Sequence, residues 1–115
     1  MKFKYFKLSD FDCQETGENK MEDDFILWLD ACREACGFPF IITSGFRSKN
    51  HSVEKIKTSV GTHVLGIACD IKVNNGSEKM TIVKEAIRLG FTGIGIAKNF
   101  IHLDRRTTTP VIWTY

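Results

Sequence analysis

The segment at residues 61–71 constrains the fold of this chain most, because its second half begins a strictly alternating pattern. Every second residue from position 67 to position 73 is apolar, whereas Ala68, Asp70 and Lys72 lie between them. Successive side chains of a strand point to opposite faces of a sheet. The pattern therefore predicts a strand over residues 66–73 with its apolar side in a core. Asp70 then stands on the other side, next to the small Ala68.

A second predicted strand, near the C-terminus, has the same two-sided pattern. Ile101 and Leu103 suit a core, so His102 and Asp104 project from the opposite side. If both strands belong to one sheet, Asp70 shares that side with them. The apolar rows thus predict a polar face on which a histidine and two carboxylates are gathered.

His63 lies in the loop that enters the first of these strands, between Gly61 and Gly66, which permit a tight return over the polar face. Two histidines and a carboxylate can hold one zinc ion and leave a coordination position for water, which is typical of catalytic sites. The candidate ligands are His63, Asp70 and His102; such a donor set suits Zn²⁺, although other borderline metals would fit. Spacing alone leaves ordinary hydrogen-bonding histidines and an aspartate–arginine pair as the alternative.

Composition limits the classes of function. The chain has 115 residues, which suits one domain over residues 1–115, with 43% hydrophobic and 26% charged residues. The net charge of +2 comes without a concentrated basic stripe, which argues against nucleic-acid binding. No apolar run is long enough for a membrane span, and no apolar region follows the N-terminal lysines. We expect a monomer synthesised in the cytoplasm without a signal peptide, with its four cysteines reduced and packed as small apolar residues.

Periodicity and turn residues predict an α+β domain with a small, mainly antiparallel sheet, two main helices packed on one side and a zinc cleft on the other face. The predicted elements are a helix over residues 21–36, strands over 38–43 and 66–73, a helix over 77–89, and strands over 93–97, 100–104 and 111–114. Residues 49–62 are polar and predict a loop with one helical turn. Ser77 is expected to cap the second helix and Gly90 to end it. The buried stripe of the first helix is predicted to be Phe25, Leu29, Cys32 and Cys36, widened by Trp28 and Ala35. That of the second is predicted to be Met80, Val83, Ala86 and Ile87.

Several of these residues together resemble a known family. The motifs are Ser44-Gly45-Phe46-Arg47-Ser48, His63-x-x-Gly66-x-Ala68-x-Asp70, His102-x-Asp104-x-Arg106 and Trp113-x-Tyr115. They resemble the zinc D-alanyl-D-alanine carboxypeptidases, a group that includes phage L-alanyl-D-glutamate endolysins and shares its fold with hedgehog signalling domains. The resemblance extends over nearly the whole chain, and its histidine-to-aspartate segment is the specific part.

The resemblance implies a zinc peptidase that acts on peptidoglycan stem peptides, released in phage lysis or carried by a virion. It matches His63, Asp70 and His102 to the three zinc ligands. It matches Arg47 to an arginine that binds substrate or stabilises an oxyanion, for which a structural ion pair is the alternative. Ser44 and His51 are further candidates for substrate contact. Ser44 could instead orient its turn, and His51 could be a surface residue of the polar loop.

The chain departs from the family at the general base. Many relatives have an acidic residue three positions before the last histidine ligand, where this chain has Asn99. Asp104 is the candidate base in its place. It could instead orient His102 or Arg47, or it could be the metal ligand, with His102 as the acid and base. If none of these supplies a base, the domain is a catalytically inactive, zinc-stabilised binding module.

Overall fold

The computed structural model describes residues 2–57 and 59–115, and within them the chain forms two α-helices, five strands and two short 3₁₀ turns. The helices are α1 (Asp23–Cys36) and α2 (Gly76–Leu89). The strands are β1 (Ile42–Ser44), β2 (Ala68–Lys72), β3 (Gly93–Ile96), β4 (Phe100–Asp104) and β5 (Val111–Thr114). The 3₁₀ turns span Leu8–Phe11 and Glu54–Ile56. The predicted α+β class is confirmed, and the four strands from β2 to β5 lie within two residues of their predicted bounds.

The strands form one sheet in the order β1-β2-β4-β3-β5. All neighbouring pairs are antiparallel except β3 and β5, which run parallel. The register of β2 against β4 pairs Asp70 with His102 and Ala68 with Asp104. Side chains that stand opposite each other in such a register share a face of the sheet. The predicted polar face therefore exists and lies at the centre of the sheet.

The other face of the sheet forms the core with both helices. Its central row is completely buried and consists of Cys69, Ile71, Ile101 and Leu103. All four cysteines of the chain are free, and three of them are buried, as expected for small apolar core residues. Neither helix of the described residues is long and apolar enough to cross a membrane.

The buried face of α1 differs from the prediction. Its buried residues are Phe25, Ile26, Leu29, Asp30 and Cys32. Trp28 and Ala35, which were expected to widen the stripe, are exposed instead. The Trp28 indole lies along the surface, where its Nε1 donates a hydrogen bond to the carbonyl of Leu89 (2.6 Å) and the Arg105 guanidinium stacks on its ring at 3.8 Å. A large amphipathic side chain can thus be satisfied at the rim of the core.

The predictions for α2 were wrong in two respects. Asn75 caps the helix, because its side chain accepts a hydrogen bond from the backbone of Glu78 at 2.9 Å, so Ser77 is not the cap. The buried face is formed by Ile82 and Ala86. Of the remaining predicted stripe, Val83 is half-buried, and the exposed residues are Met80 (71%) and Ile87 (61%).

Candidate metal centre

Three buried side chains converge on the polar face of the sheet. Asp70 and His102 stand opposite each other on β2 and β4, and His63 reaches them from the loop before β2. Each of the three offers a ligand atom, and these atoms all lie within 4.8 Å of one another. The Asp70 Oδ1 lies 3.4 Å from His63 Nε2 and 3.2 Å from His102 Nδ1. The structure therefore brings together the three residues predicted as ligands.

The loop that carries His63 folds tightly back over the sheet. Gly66 has a φ of 75°, a left-handed conformation that favours glycine. The loop is joined to its neighbour by a hydrogen bond from the backbone of Arg47 to the carbonyl of His63 (3.2 Å). The His63 Nδ1 lies 2.7 Å from the carbonyl oxygen of Gly45. A carbonyl only accepts hydrogen bonds, so Nδ1 carries a proton, and Nε2 is the ring nitrogen that faces Asp70.

His102 is oriented in the same way by a carboxylate. Its Nε2 donates to Asp104 Oδ2 at 2.7 Å, which leaves Nδ1 as the atom that faces Asp70. Asp104 is completely buried and also accepts hydrogen bonds from Arg106, through the backbone (3.0 Å), Nε (3.0 Å) and NH2 (2.6 Å). Burial raises the pKa of Asp104, but the bonds from His102 and Arg106 outweigh it and hold the pKa well below its usual range. An ionised Asp104 thus fixes the His102 ring.

Charged groups are concentrated around Asp70. Burial raises the pKa of Asp70, but hydrogen bonds from His102 and His63 outweigh burial and leave it well below the usual value. Burial lowers the pKa of His102, and the neighbouring carboxylates Asp104 and Asp70 more than reverse this. Asp70 is therefore an anion that draws positive charge to the point where the three ligand atoms meet.

The arrangement fits a zinc ion. Zinc in catalytic sites is commonly bound by three protein side chains from histidine and carboxylate residues. A ligating histidine almost always donates its second ring nitrogen to a carbonyl or carboxylate. His63 does so to Gly45 and His102 does so to Asp104. The residues present thus supply both the donor atoms and the partners that orient them.

Comparison with known families agrees with this geometry. The family model described as Peptidase M15 matches residues 4–104 of the chain. The chain belongs to this family. The match ends at Asp104 and includes all three candidate ligands. It confirms the resemblance seen in the sequence and places the chain in a zinc-dependent family of peptidoglycan-acting metallopeptidases. A search of curated proteins finds no match to the chain.

The three candidate ligands of this family member form the floor of a cleft of about 500 Å³. Its cationic lining residues are Arg47, Lys57 and Arg106. One wall is aromatic and consists of Phe100, Trp113 and Tyr115. Among the described residues, Asp70 is the only carboxylate that lines the cleft. The cleft is therefore suited to a substrate that carries negative charge.

Arg47 lies at the edge of the metal centre, and Ser44 lies behind it. The Arg47 Nε donates to Ser44 Oγ at 3.2 Å, NH1 donates to Glu54 Oε2 at 3.2 Å, and NH2 is 3.6 Å from Asp70 Oδ2. Arg47 lines the cleft, as predicted for a substrate-binding group, and it also forms the alternative ion pairs. Ser44 does not line the cleft, so its position favours the role of orienting Arg47.

The structure does not bring His51 or Asn99 into the cleft. The His51 ring pairs with Glu15 at 3.2 Å, and its Nδ1 accepts a hydrogen bond from the backbone of Val53. Asn99 is exposed before β4, and its carbonyl accepts a hydrogen bond from the backbone of Val73. These positions favour a surface role for His51 and leave the site of the usual family base without an acidic group.

The position of Asp104 favours an orienting role over that of a general base. It is fully buried, does not line the cleft, and has both oxygens engaged by His102 and Arg106. Sequence reasoning assigned no role to three residues of this region: Glu54, Lys57 and Arg106. Arg106 was named only as part of a motif, although it continues the alternation of His102 and Asp104 and could have been assigned to the same face. Glu54 and Lys57 come from the aperiodic loop, which gives no such signal.

Proposed function

We propose that this chain is a zinc peptidase that hydrolyses a peptide bond in peptidoglycan stem peptides. His63, Asp70 and His102 would hold one zinc ion. The observation that supports this most is the orientation of the two histidines. Each has one ring nitrogen fixed by a hydrogen-bond acceptor, so that the other nitrogen faces Asp70. A histidine that binds a metal almost always has its second ring nitrogen fixed in this way.

A bound zinc ion lowers the pKa of a water molecule and polarises a carbonyl group. The chain itself supplies the binding and orientation of the substrate. Arg47 offers a planar guanidinium that can hold a substrate carboxylate or neutralise a developing oxyanion. Lys57 and Arg106 extend this positive charge along the cleft, and Trp113 offers an aromatic surface on one side of it.

The cationic lining is matched to stem peptides, which carry free carboxylates. A guanidinium binds a carboxylate by two parallel hydrogen bonds and so fixes its direction as well as its charge. Carboxypeptidase action would use a terminal carboxylate for this purpose, and endopeptidase action would use an internal one. Both types of cleavage are compatible with the proposal, and the products of the reaction distinguish them.

A zinc-stabilised binding module of the same fold is the second candidate function. It is favoured by one observation: Asp70 is the only carboxylate lining the cleft in the described part of the chain, and it is a candidate ligand. A domain without a proton acceptor in its cleft could bind stem peptides without cleaving them.

The test is incubation of the zinc-loaded protein with purified muropeptides, followed by mass spectrometry of the products. We expect cleavage that requires zinc and is absent in His63→Ala. Loss of a terminal residue would indicate a carboxypeptidase, and two peptide fragments an endopeptidase. A protein that binds zinc stoichiometrically and retains muropeptides, yet yields no products, would establish the binding module instead.

A further inference from the structure

A buried carboxylate lies beneath the cleft in the loop between β1 and β2. Glu54 begins the short 3₁₀ turn Glu54–Ile56, and its side chain is only 2% exposed. Its Oε2 accepts hydrogen bonds from Arg47 NH1 at 3.2 Å and from Lys57 Nζ at 3.0 Å. Both of these cations line the cleft, whereas Glu54 itself does not. One hidden anion thus contacts two of the three basic groups available to a substrate.

We propose that Glu54 is a positioning residue that holds Arg47 and Lys57 in the orientation needed to bind the substrate. This inference rests on the proposed peptidase function, because it assigns Arg47 to substrate binding. Glu54 acts only through these two cations and does not touch the substrate or the metal ligands.

The contacts of the guanidinium support this role. The distance of 3.6 Å from Arg47 NH2 to Asp70 is too long for a good hydrogen bond. The bonds to Ser44 Oγ and Glu54 Oε2, both 3.2 Å, are therefore the ones that orient the side chain. Ser44 contributes a neutral acceptor, and Glu54 contributes the charge. Without that charge, the guanidinium could turn toward Asp70 and compete for the carboxylate that faces the metal centre.

The packing around Glu54 also supports a dedicated role. A buried carboxylate is costly unless it is paired with positive groups. Burial raises the pKa of Glu54, but hydrogen bonds and charge from Lys57 and Arg47 outweigh it and lower the pKa, so the group is ionised at neutral pH. A Cβ on Gly61 would lie 2.7 Å from Glu54 Oε1 and 3.0 Å from Lys57 Nζ. The backbone of the His63 loop thus packs directly against this carboxylate.

The first experiment observes Arg47 without requiring any activity. In ¹⁵N NMR spectra of the full chain, the Nε–Hε group of a guanidinium held by Ser44 and Glu54 should exchange slowly with water. We expect this signal in the wild type and in the control Glu34→Gln, which breaks the exposed Lys4–Glu34 ion pair. We expect it to broaden or disappear in Glu54→Gln. An unchanged Arg47 signal in Glu54→Gln would overturn the proposal.

The second experiment is a double-mutant cycle on muropeptide cleavage. Glu54→Gln loses the charge-assisted hydrogen bond to Arg47. We therefore expect it to lower kcat/KM about 10–100-fold, chiefly through a higher KM. In an Arg47→Ala background the same substitution should lower kcat/KM less than it does in the wild type, because only the contact with Lys57 is then lost. An equal loss in both backgrounds would mean that Glu54 does not act through Arg47. A wild type that cleaves nothing would refute the proposed function, while the NMR result would still decide the role of Glu54.

If Glu54→Gln does not fold, Glu54→Asp replaces it in both experiments. It keeps the charge but withdraws the carboxylate by one methylene group, so both cations lose their hydrogen-bond geometry. We expect faster exchange at Arg47 and a raised KM in this variant, with the far-ultraviolet circular dichroism of the wild type. Wild-type exchange and wild-type KM in Glu54→Asp would overturn the proposal.

Discussion

Replacing Asp104 by asparagine removes the charge from the group that fixes the His102 ring. The carboxylate accepts from His102 Nε2 at 2.7 Å and from Arg106 through three nitrogens. An asparagine has one acceptor oxygen and a donating amide group. If the amide group faces His102, the ring must place its proton on Nδ1, the atom that faces Asp70. If the oxygen faces His102, Arg106 loses most of the hydrogen bonds that the carboxylate accepts from it.

The expected loss follows from the number of contacts. Removal of a group that orients a ligating histidine typically lowers metal affinity about 10–100-fold. This corresponds to about 1.4–2.8 kcal/mol of binding free energy. The lost charge-assisted hydrogen bonds to Arg106 should lower the free energy of unfolding of the metal-free protein by about 1.5–3 kcal/mol. Both changes are large enough to measure separately.

The assay is a zinc titration against a chromophoric chelator, with urea unfolding of the metal-free protein beside it. Asp30→Asn is the matched control, because Asp30 is also buried and accepts hydrogen bonds, from the backbone of Lys4 and Tyr5, far from the metal centre. We expect the control to lose stability but keep its zinc affinity. Wild-type zinc affinity in Asp104→Asn would refute the orienting role. If turnover on muropeptides then fell about 10²–10⁴-fold, Asp104 would be the general base.

Three further predictions concern the same region. His63→Ala should contain far less zinc than the wild type by elemental analysis after dialysis, and zinc content equal to the wild type would exclude this residue as a ligand. A Cβ on Gly93 would overlap the carboxylate of Asp104, so Gly93→Ala should lower the free energy of unfolding by about 1–3 kcal/mol, whereas Gly76→Ala, which meets no neighbour within 4 Å, should not. The folded-state pKa of Glu54 lies below its usual value, so its stabilising effect exists above a pH of about 4.3 and is lost as the pH falls through the folded pKa. The difference in free energy of unfolding between the wild type and Glu54→Gln, measured in urea at pH 7 and pH 3, should therefore shrink at the lower pH.

The metal face could be predicted because two strands alternate without interruption. In β2 and β4, the apolar residues leave only one side for Asp70 and His102, and a buried core enforces that choice. The faces of the helices were harder to predict. Trp28 and Met80 fit a helical period yet are exposed, since an apolar residue on a protein surface carries only a modest cost. Size and spacing alone do not distinguish the rim of a core from its centre.

The contacts between Glu54 and the cations of the cleft could not be predicted from the local sequence pattern. Glu54 lies in a polar loop without helical or strand periodicity, and its importance arises from contacts with Arg47 and Lys57. Such contacts depend on how the loop packs on the sheet, which a single sequence does not encode in its spacing. The motif residues Arg47 and Ser44 were identified, but the carboxylate of Glu54, which pairs with Arg47, was not.

The register of β2 against β4 determines both which side chains enter the core and which lie at the metal centre. Asp70 lies opposite His102, and Ala68 lies opposite Asp104, on the face that turns away from Ile101. A slip of one residue between β2 and β4 would move His102 and Asp104 into the core and expose its apolar row, because side chains alternate with a period of two. The burial of that row therefore keeps His102 and Asp104 on the face that carries Asp70. Substitutions in the core that weaken the register should lower zinc affinity even though they lie on the opposite face of the sheet.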